Sequence, residues 1–358
     1  MTKKSKHPTP TPTSTAPAGP DSTSSSNFSS SSSSSASIDS APFQGTGSWF
    51  GDFNALCVSS CVPLPTCNLL SAADSFETSA SAVRGTAGAG IRMGTWSDDR
   101  CLNSGGWPMR DVGSVVVSIL GLLFVVRQIL VKSRRMFAAV GRTEVWYLYM
   151  IYSSILFLQV FTVGGVLVND NRTHRTFLVW ATALHLGALV CFFWTLVITA
   201  LVLFQFTDDG TKYMKQARDL TSQFITGTNL IWMGIVVFLS LDLAWDITGH
   251  HHGHSAGLFF LSLVFPAVAV LLYLVLSCIV VCRKLEVYSS LKYVAMALVT
   301  FAGSQLILLG GASHKIAVGT QGRINGSMFA IVLDLVSVSL VYTFWNTITD
   351  DTWGDEEF

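Results

Sequence analysis

From residue 112 onward the chain alternates between long apolar runs and short polar ones. The apolar runs are Val112–Val131, Val145–Val168, Phe177–Phe206, Phe224–Trp245, Gly257–Cys282, Leu291–Ala312 and Gly326–Trp345. Crossing a bilayer takes about 20 mostly apolar residues, and each run meets that length. The segments between them are short and polar: KSRRMFAAVGRTE, NDNRTHR, TDDGTKYMKQARD, ITGHHHGHSA, RKLEVYSS and SHKIAVGTQGRIN. Trp146, Tyr147, Tyr149, Trp180, Trp245, Tyr342 and Trp345 gather near run ends, where amphipathic rings sit at the membrane–water interface. The pattern predicts an all-α, polytopic membrane protein, a bundle of seven transmembrane helices. The third run is long enough to tilt, and Pro266 marks a kink in the fifth.

Composition agrees with this pattern. Of 358 residues, 50% are hydrophobic and only 12% charged, against about 25% charged in soluble domains. The formal net charge is zero, so no basic field points to nucleic acid. The organisation read from the chain has four parts. Residues 1–45 are a tail dominated by Ser, Thr and Pro, too poor in apolar surface to offset the entropy of ordering, and expected to be disordered. Residues 46–111 form a Cys-containing segment, 112–345 the helical domain, and 346–358 an acidic tail. The start, MTKKSKHPTP, has no apolar stretch behind it and does not read as a cleavable signal peptide.

Basic residues set the expected orientation. The first, third and fifth connections and their flanks carry Lys132, Arg134, Arg135, Arg142, Lys212, Lys215, Arg218, Arg283, Lys284 and Lys292. The opposite side carries Arg100, Arg110, Arg172, Arg175, Lys315 and Arg323. The larger group faces the cytosol, which puts the N-terminus in the lumen and the C-terminus in the cytosol. Sequons at Asn27, Asn171 and Asn325 fall on the expected lumenal side and are candidate N-glycosylation sites. Cys57, Cys61, Cys67 and Cys101 lie on that oxidising side as candidate disulfide partners, with all three full pairings open. Cys191, Cys278 and Cys282 fall inside apolar runs and read as packing residues.

Candidate chemistry is sparse. Asp334 sits in the middle of the seventh run, where an ionisable group is costly and marks a site or a contact. Pairing it with Asp242 would resemble an intramembrane aspartyl protease, but no Gly-x-Gly precedes Asp334 and the two lie at different depths. His250, His251, His252 and His254 could hold a metal, but their Gly-flanked loop offers no rigid support. His185 and His314 are isolated. No Lys follows Lys315, which excludes a retinal Schiff base in the last run. A receptor for a small ligand fits the topology and predicts a ligand-sized polar pocket, but common receptor motifs are missing. Transport lacks inverted repeats and paired broken helices. Asp334 therefore reads as a contact between helices or to a client protein, with Ser337, Ser339, Ser304 and Gln305 as the donors within reach.

Several stretches in fixed order carry a resemblance: FGDFNALC and LPTC before the runs, FAAVGRTE after the first, LFQFTDDGT after the third, GLFF opening the fifth, GSQLIL in the sixth and VYTFWNTIT ending the seventh. Together, from about residue 50 to 349, they resemble the fungal chitin synthase export chaperone family. The resemblance implies a non-enzymatic, cofactor-free protein of the endoplasmic reticulum membrane that helps a chitin synthase fold and leave for the cell surface. It could also accompany that client to the plasma membrane. In this frame Arg142, Glu144, Asp208 and Asp209 are candidate client contacts beside Asp334 and Gln305. In the tail, DDTWGDEEF, residues Asp355, Glu357 and Phe358 form a candidate export signal for a vesicle-coat cargo adaptor. Cys57 and Cys67 are further apart than the family's pair, so the resemblance does not settle the pairing.

Overall fold

The computed structural model describes residues 51, 53, 64–70, 111–130, 142–164, 172–203, 213–248, 255–285, 290–309, 316 and 326–349. The chain divides into two units, Met1–Thr46 and Gly47–Phe358, and all described residues belong to the second. The Ser/Thr/Pro-rich tail, the sequon asparagines, the histidine loop, Asp208 and Asp209, and residues 350–358 of the acidic tail lie outside the described residues, whereas 346–349 continue the last helix.

Among the described residues the regular structure is helical. Helix α1, Val112–Phe124, runs on through a wide i→i+5 turn, Val125–Leu130. Then follow α2, Arg142–Thr162; α3, Arg172–Val202; and α4, Tyr213–Trp245. Helix α5 is one rod of four pieces: Ala256–Phe259, the wide turn Phe260–Val264, Phe265–Val280 and the wide turn Val281–Leu285. The last two are α6, Leu291–Leu309, and α7, Gly326–Thr349. Six of these, α2 to α7, are long and apolar enough to cross a membrane, while the apolar stretch of α1, Val112–Arg127, is shorter. The seven-run reading therefore reduces to six helices of spanning length and one shorter apolar helix.

Local chemistry sets the helix ends. Asp111 is extended (φ −147°) and accepts a hydrogen bond from the Ser114 N–H at 3.2 Å, an N-cap that starts α1. Ser255 caps α5 in the same way through the Leu258 N–H. At the far end of α4, Asp246 turns into the left-handed region at φ 47°. Asp242, one turn back, accepts from the Thr248 N–H at 2.8 Å and the Thr248 hydroxyl at 3.0 Å. The two bonds tie the chain beyond the helix to its last turn. Helix α4 also begins eleven residues before the Phe224 expected from hydropathy. Its first turns are polar, so an apolar window misses them although the backbone stays helical. Pro266 is the second residue after the wide turn Phe260–Val264, a common way to seat a residue that has no N–H to donate.

Helix α3 is the hub. Of its most apolar stretch 78% is buried, against 22% for α4 and 17% for α6. It packs on α2, α4 and α5; α6 packs on α5 and α7, and α7 on α1, which returns to α2. Helices α1, α2, α3, α5, α6 and α7 thus close a ring, with α4 seated on the flank of α3. The α3–α4 seam is close at Gly187, where a Cβ would come within 2.3 Å of the Met233 sulfur. Polar bonds line the same seam: Trp194 Nε1 to Thr228 Oγ1 at 3.0 Å, Asn229 Nδ2 to Thr195 Oγ1 at 2.9 Å, and Cys191 Sγ to the Asn229 carbonyl at 3.2 Å. On the outer face of α4, Phe224, Leu230, Ile231 and Phe238 are exposed, as a lipid-facing surface would be.

One end of the ring is covered by the segment ahead of α1. Phe53, Leu64, Leu69 and Leu70 are buried against Val179 and Leu186 of α3, Leu243 of α4, and Leu258 and Leu261 of α5. Gly51 has φ +97°, and its carbonyl accepts from the Ser255 N–H at 3.2 Å. A Cβ there would lie 3.2 Å from the backbone of Ala256, so both conformation and space require glycine.

Candidate functional site

The covered end is built from polar groups that tie distant helix ends together. Besides the Ser114 N–H, the Asp111 carboxylate accepts from the Ser114 hydroxyl at 2.5 Å and from the Ser327 hydroxyl. All three residues are buried. The start of α1 is thus bonded to the start of α7, 216 residues further on. Ser327, third position of the Asn325 sequon, has its hydroxyl directed at a carboxylate inside the protein. Nearby, Asn68 Nδ2 donates to the Thr162 carbonyl at 2.9 Å and to Thr182 Oγ1 at 3.4 Å. The Thr162 hydroxyl donates to the Leu158 carbonyl at 3.1 Å and sits 2.7 Å from His185 Nδ1. With the Thr162 proton committed, His185 is the donor in that pair. His185 is therefore one element of a polar bridge joining the N-terminal segment to α2 and α3.

The described helices of the ring border at least two cavities. The larger, about 510 Å3, lies between α2, α3, α5, α6 and α7, walled by side chains such as Ile155, Phe192, Phe193, Val270 and Phe301. The smaller, about 180 Å3, lies toward the covered end and is bounded partly by Phe53, Leu64, Pro65 and Thr66 of the N-terminal segment. Asp334, Gln305, Tyr152 and Ser262 border both, at the waist between the two spaces. The Asp334 Oδ1, Ser304 Oγ and Tyr152 hydroxyl are sealed from solvent and have no hydrogen-bond partner among the described residues. Ser304 neighbours the Asp334 carboxyl but stands outside hydrogen-bond geometry with it.

The sequence placed Asp334 in a helix contact served by four donors, and the structure arranges them differently. The Ser337 hydroxyl donates across to the Ala297 carbonyl of α6 at 2.9 Å, and the Ser339 hydroxyl to the Leu335 carbonyl of its own helix at 2.7 Å. A serine in a helix readily bonds the carbonyl one turn back, which removes Ser339 from the carboxyl. Gln305 does share the cavities with Asp334. Asp242 lies at the end of α4 and serves Thr248 there, separate from the residues around Asp334. Glu144, named as a candidate client contact, is buried in the first turn of α2 and accepts from the Thr143 hydroxyl at 2.8 Å; a carboxylate near a helix N-terminus is favoured there. Arg142 opens α2. Cys67 is buried and disulfide-bonded, while Cys57, Cys61 and Cys101 lie outside the described residues. Among the described residues no three His, Cys, Asp or Glu side chains come together as a metal site would need.

Asp111 was legible only in part. An Asp directly before an apolar run is an N-cap signal, but nothing in sequence couples it to Ser327. The covering segment had no periodicity to announce it.

Comparison with known proteins adds the family. No solved structure matches the chain. A Neurospora crassa protein named chitin synthase export chaperone is 26% identical over 307 residues, 84% of this chain and 77% of its own length. An Aspergillus oryzae protein of the same name is 23% identical over 320 residues, 86% of this chain and 89% of its own length. A Cryptococcus neoformans namesake is 25% identical over 225 residues, 62% of this chain and 58% of its own length. The family model described as chitin synthase export chaperone matches residues 49–357, from the covering segment through the whole ring and into the acidic tail. The chain belongs to the chitin synthase export chaperone family.

Proposed function

We propose that this protein is a membrane chaperone of the endoplasmic reticulum that a chitin synthase requires to fold and to leave that compartment. The observation that carries the reading is the family match over residues 49–357. The physical requirements agree with it. A chaperone for a client with many membrane helices needs an extended apolar surface, and α4 and α6 supply one with Leu230, Ile231, Met296, Val299 and Leu306 exposed. No reactive centre is required. We assign no enzymatic activity.

The finer reading takes α1 as a seventh span, completed by the wide turn Val125–Leu130. Alternation of helices then places the covering segment in the lumen and the acidic tail in the cytosol, in accord with the basic-residue distribution. An oxidising lumen suits the Cys67 disulfide. In this reading Arg142, Asp208 and Asp209 serve as cytosolic client contacts, and Asp355, Glu357 and Phe358 as a signal for a coat adaptor.

The test is direct. Deleting the gene should hold chitin synthase in the reticulum while unrelated cargo leaves, and the synthase should co-purify with the tagged protein from membranes. Normal delivery of the synthase in the deletion strain would overturn the proposal. For the tail, Asp355→Ala with Glu357→Ala should slow exit of the chaperone itself; unchanged transit removes the signal.

A further inference from the structure

Asp334 and Gln305 border both cavities. The larger space falls within the roughly 300–1,000 Å3 of small-ligand sites. Its wall is apolar along most of its length and polar at the waist, where Asp334, Tyr152, Gln305 and Ser262 meet. There the Asp334 Oδ1 and the Tyr152 hydroxyl are sealed and without a partner among the described residues, a state that costs free energy until another group bonds them. No Lys or Arg lines either cavity. A phosphate head group would find no cation and would meet a carboxyl. A hydroxyl fits both orphan atoms, donating to Asp334 and accepting from Tyr152. Ala267 of α5 and Leu309 of α6 line the larger cavity and are also exposed, so the space reaches the outer face beside these helices, where a lipid can enter.

We propose that the ring binds one neutral membrane lipid, its apolar body in the cavity between α2, α3, α5, α6 and α7 and its single hydroxyl held at Asp334 by way of the Tyr152–Gln305 waist. Two kinds of membrane lipid have this chemistry, a sterol and a diacylglycerol. The full chain, purified in detergent from cells lacking chitin synthase, is exposed to a photoreactive alkyne-tagged sterol and, separately, to the matching diacylglycerol. Photoreactive phosphatidylcholine and a photoreactive long-chain amine serve as comparisons. One of the two hydroxyl lipids should label peptides of α5, α6 and α7 and be displaced by its untagged form. Ala267→Trp and Leu298→Trp, which fill the cavity, should cut that labelling by about tenfold, a loss of one decade in binding constant. Asp334→Leu should lower it severalfold, and Asp334→Asn, which keeps a hydrogen-bonding group, should retain most of it. Sterol labelling assigns one source and diacylglycerol labelling the other. Labelling by neither, equal labelling by phosphatidylcholine, stronger labelling by the amine, or Trp variants that melt like the wild type yet label like it would each overturn the proposal. If the Trp variants do not fold, the contrast between Asp334→Leu and Asp334→Asn decides. The measurement involves no synthase, so its failure leaves the chaperone reading untouched.

Discussion

Replacing Asp111 with Ala removes the N-cap of α1 and leaves the Ser114 and Ser327 hydroxyls, 2.9 Å apart, without their shared acceptor. Stranding buried groups of this kind costs about 1–3 kcal/mol, so the melting temperature of Asp111→Ala in detergent should fall clearly below wild type. Asp111→Asn keeps one acceptor oxygen, enough for the cap but not for the two hydroxyls, and should recover part of the loss. Equal melting of Asp111→Ala and wild type would show that the three residues do not act together. At Gly51 the left-handed backbone and the nearby Ala256 act jointly, and an L-residue pays about 1–2 kcal/mol for that conformation alone. Gly51→Ala should loosen the covering segment, read as faster proteolysis ahead of α1 with the ring still folded. The two positions differ in how sequence discloses them. An acidic residue before an apolar run and a glycine near Phe53 are both weak signals, because the partner that gives each its meaning lies more than 200 residues away. Asp334 was conspicuous for the opposite reason: its cost is local and is set by the apolar residues around it.

Helices were legible because burial in lipid demands long apolar runs, and length alone separates such runs from connections. Their limits were less so. The polar opening of α4 and the wide turns in α1 and α5 leave no mark on hydropathy, since they change hydrogen-bond spacing and not residue type. Seams between helices were also hidden. Gly187 is one glycine among 29, yet it lets α3 and α4 approach until Met233 fills the gap. Gly187→Leu should separate the two helices, with an overpacking cost of about 1–3 kcal/mol. Gly187→Ala should be milder, because the Met233 side chain can shift. Crosslinking between cysteines placed at Cys191 and Asn229 would read the separation; unchanged crosslinking in Gly187→Leu would count against a tight seam.

On the scale of the whole molecule, the ring and the covering segment fall within one compact unit, Gly47–Phe358, and the family match begins at residue 49. The preceding residues have a composition that cannot build a core. Deleting residues 1–46 should leave the melting temperature unchanged, whereas deleting 1–70 should lower it and open the smaller cavity to water-soluble quenchers. An equal effect of both deletions would show that Phe53, Leu64, Leu69 and Leu70 add nothing. The cavities themselves were beyond any reading of the sequence, since a void is defined by side chains that fail to meet and no residue type encodes it.

The bond between Asp111 and Ser327 sets an order of events during synthesis. The first partner emerges from the ribosome long before the second, and the covering segment docks on helices made after it. Until α7 arrives, the Asp111 carboxylate holds only the Ser114 N–H and hydroxyl of its own helix, and the apolar residues ahead of α1 wait for α3, α4 and α5, as is usual for structures closed by sequence-distant contacts. A nascent chain of this protein therefore passes through its own interval of exposed, half-assembled membrane helices. An assistant of other proteins' folding is thus itself vulnerable, for most of its translation, to the hazard it relieves.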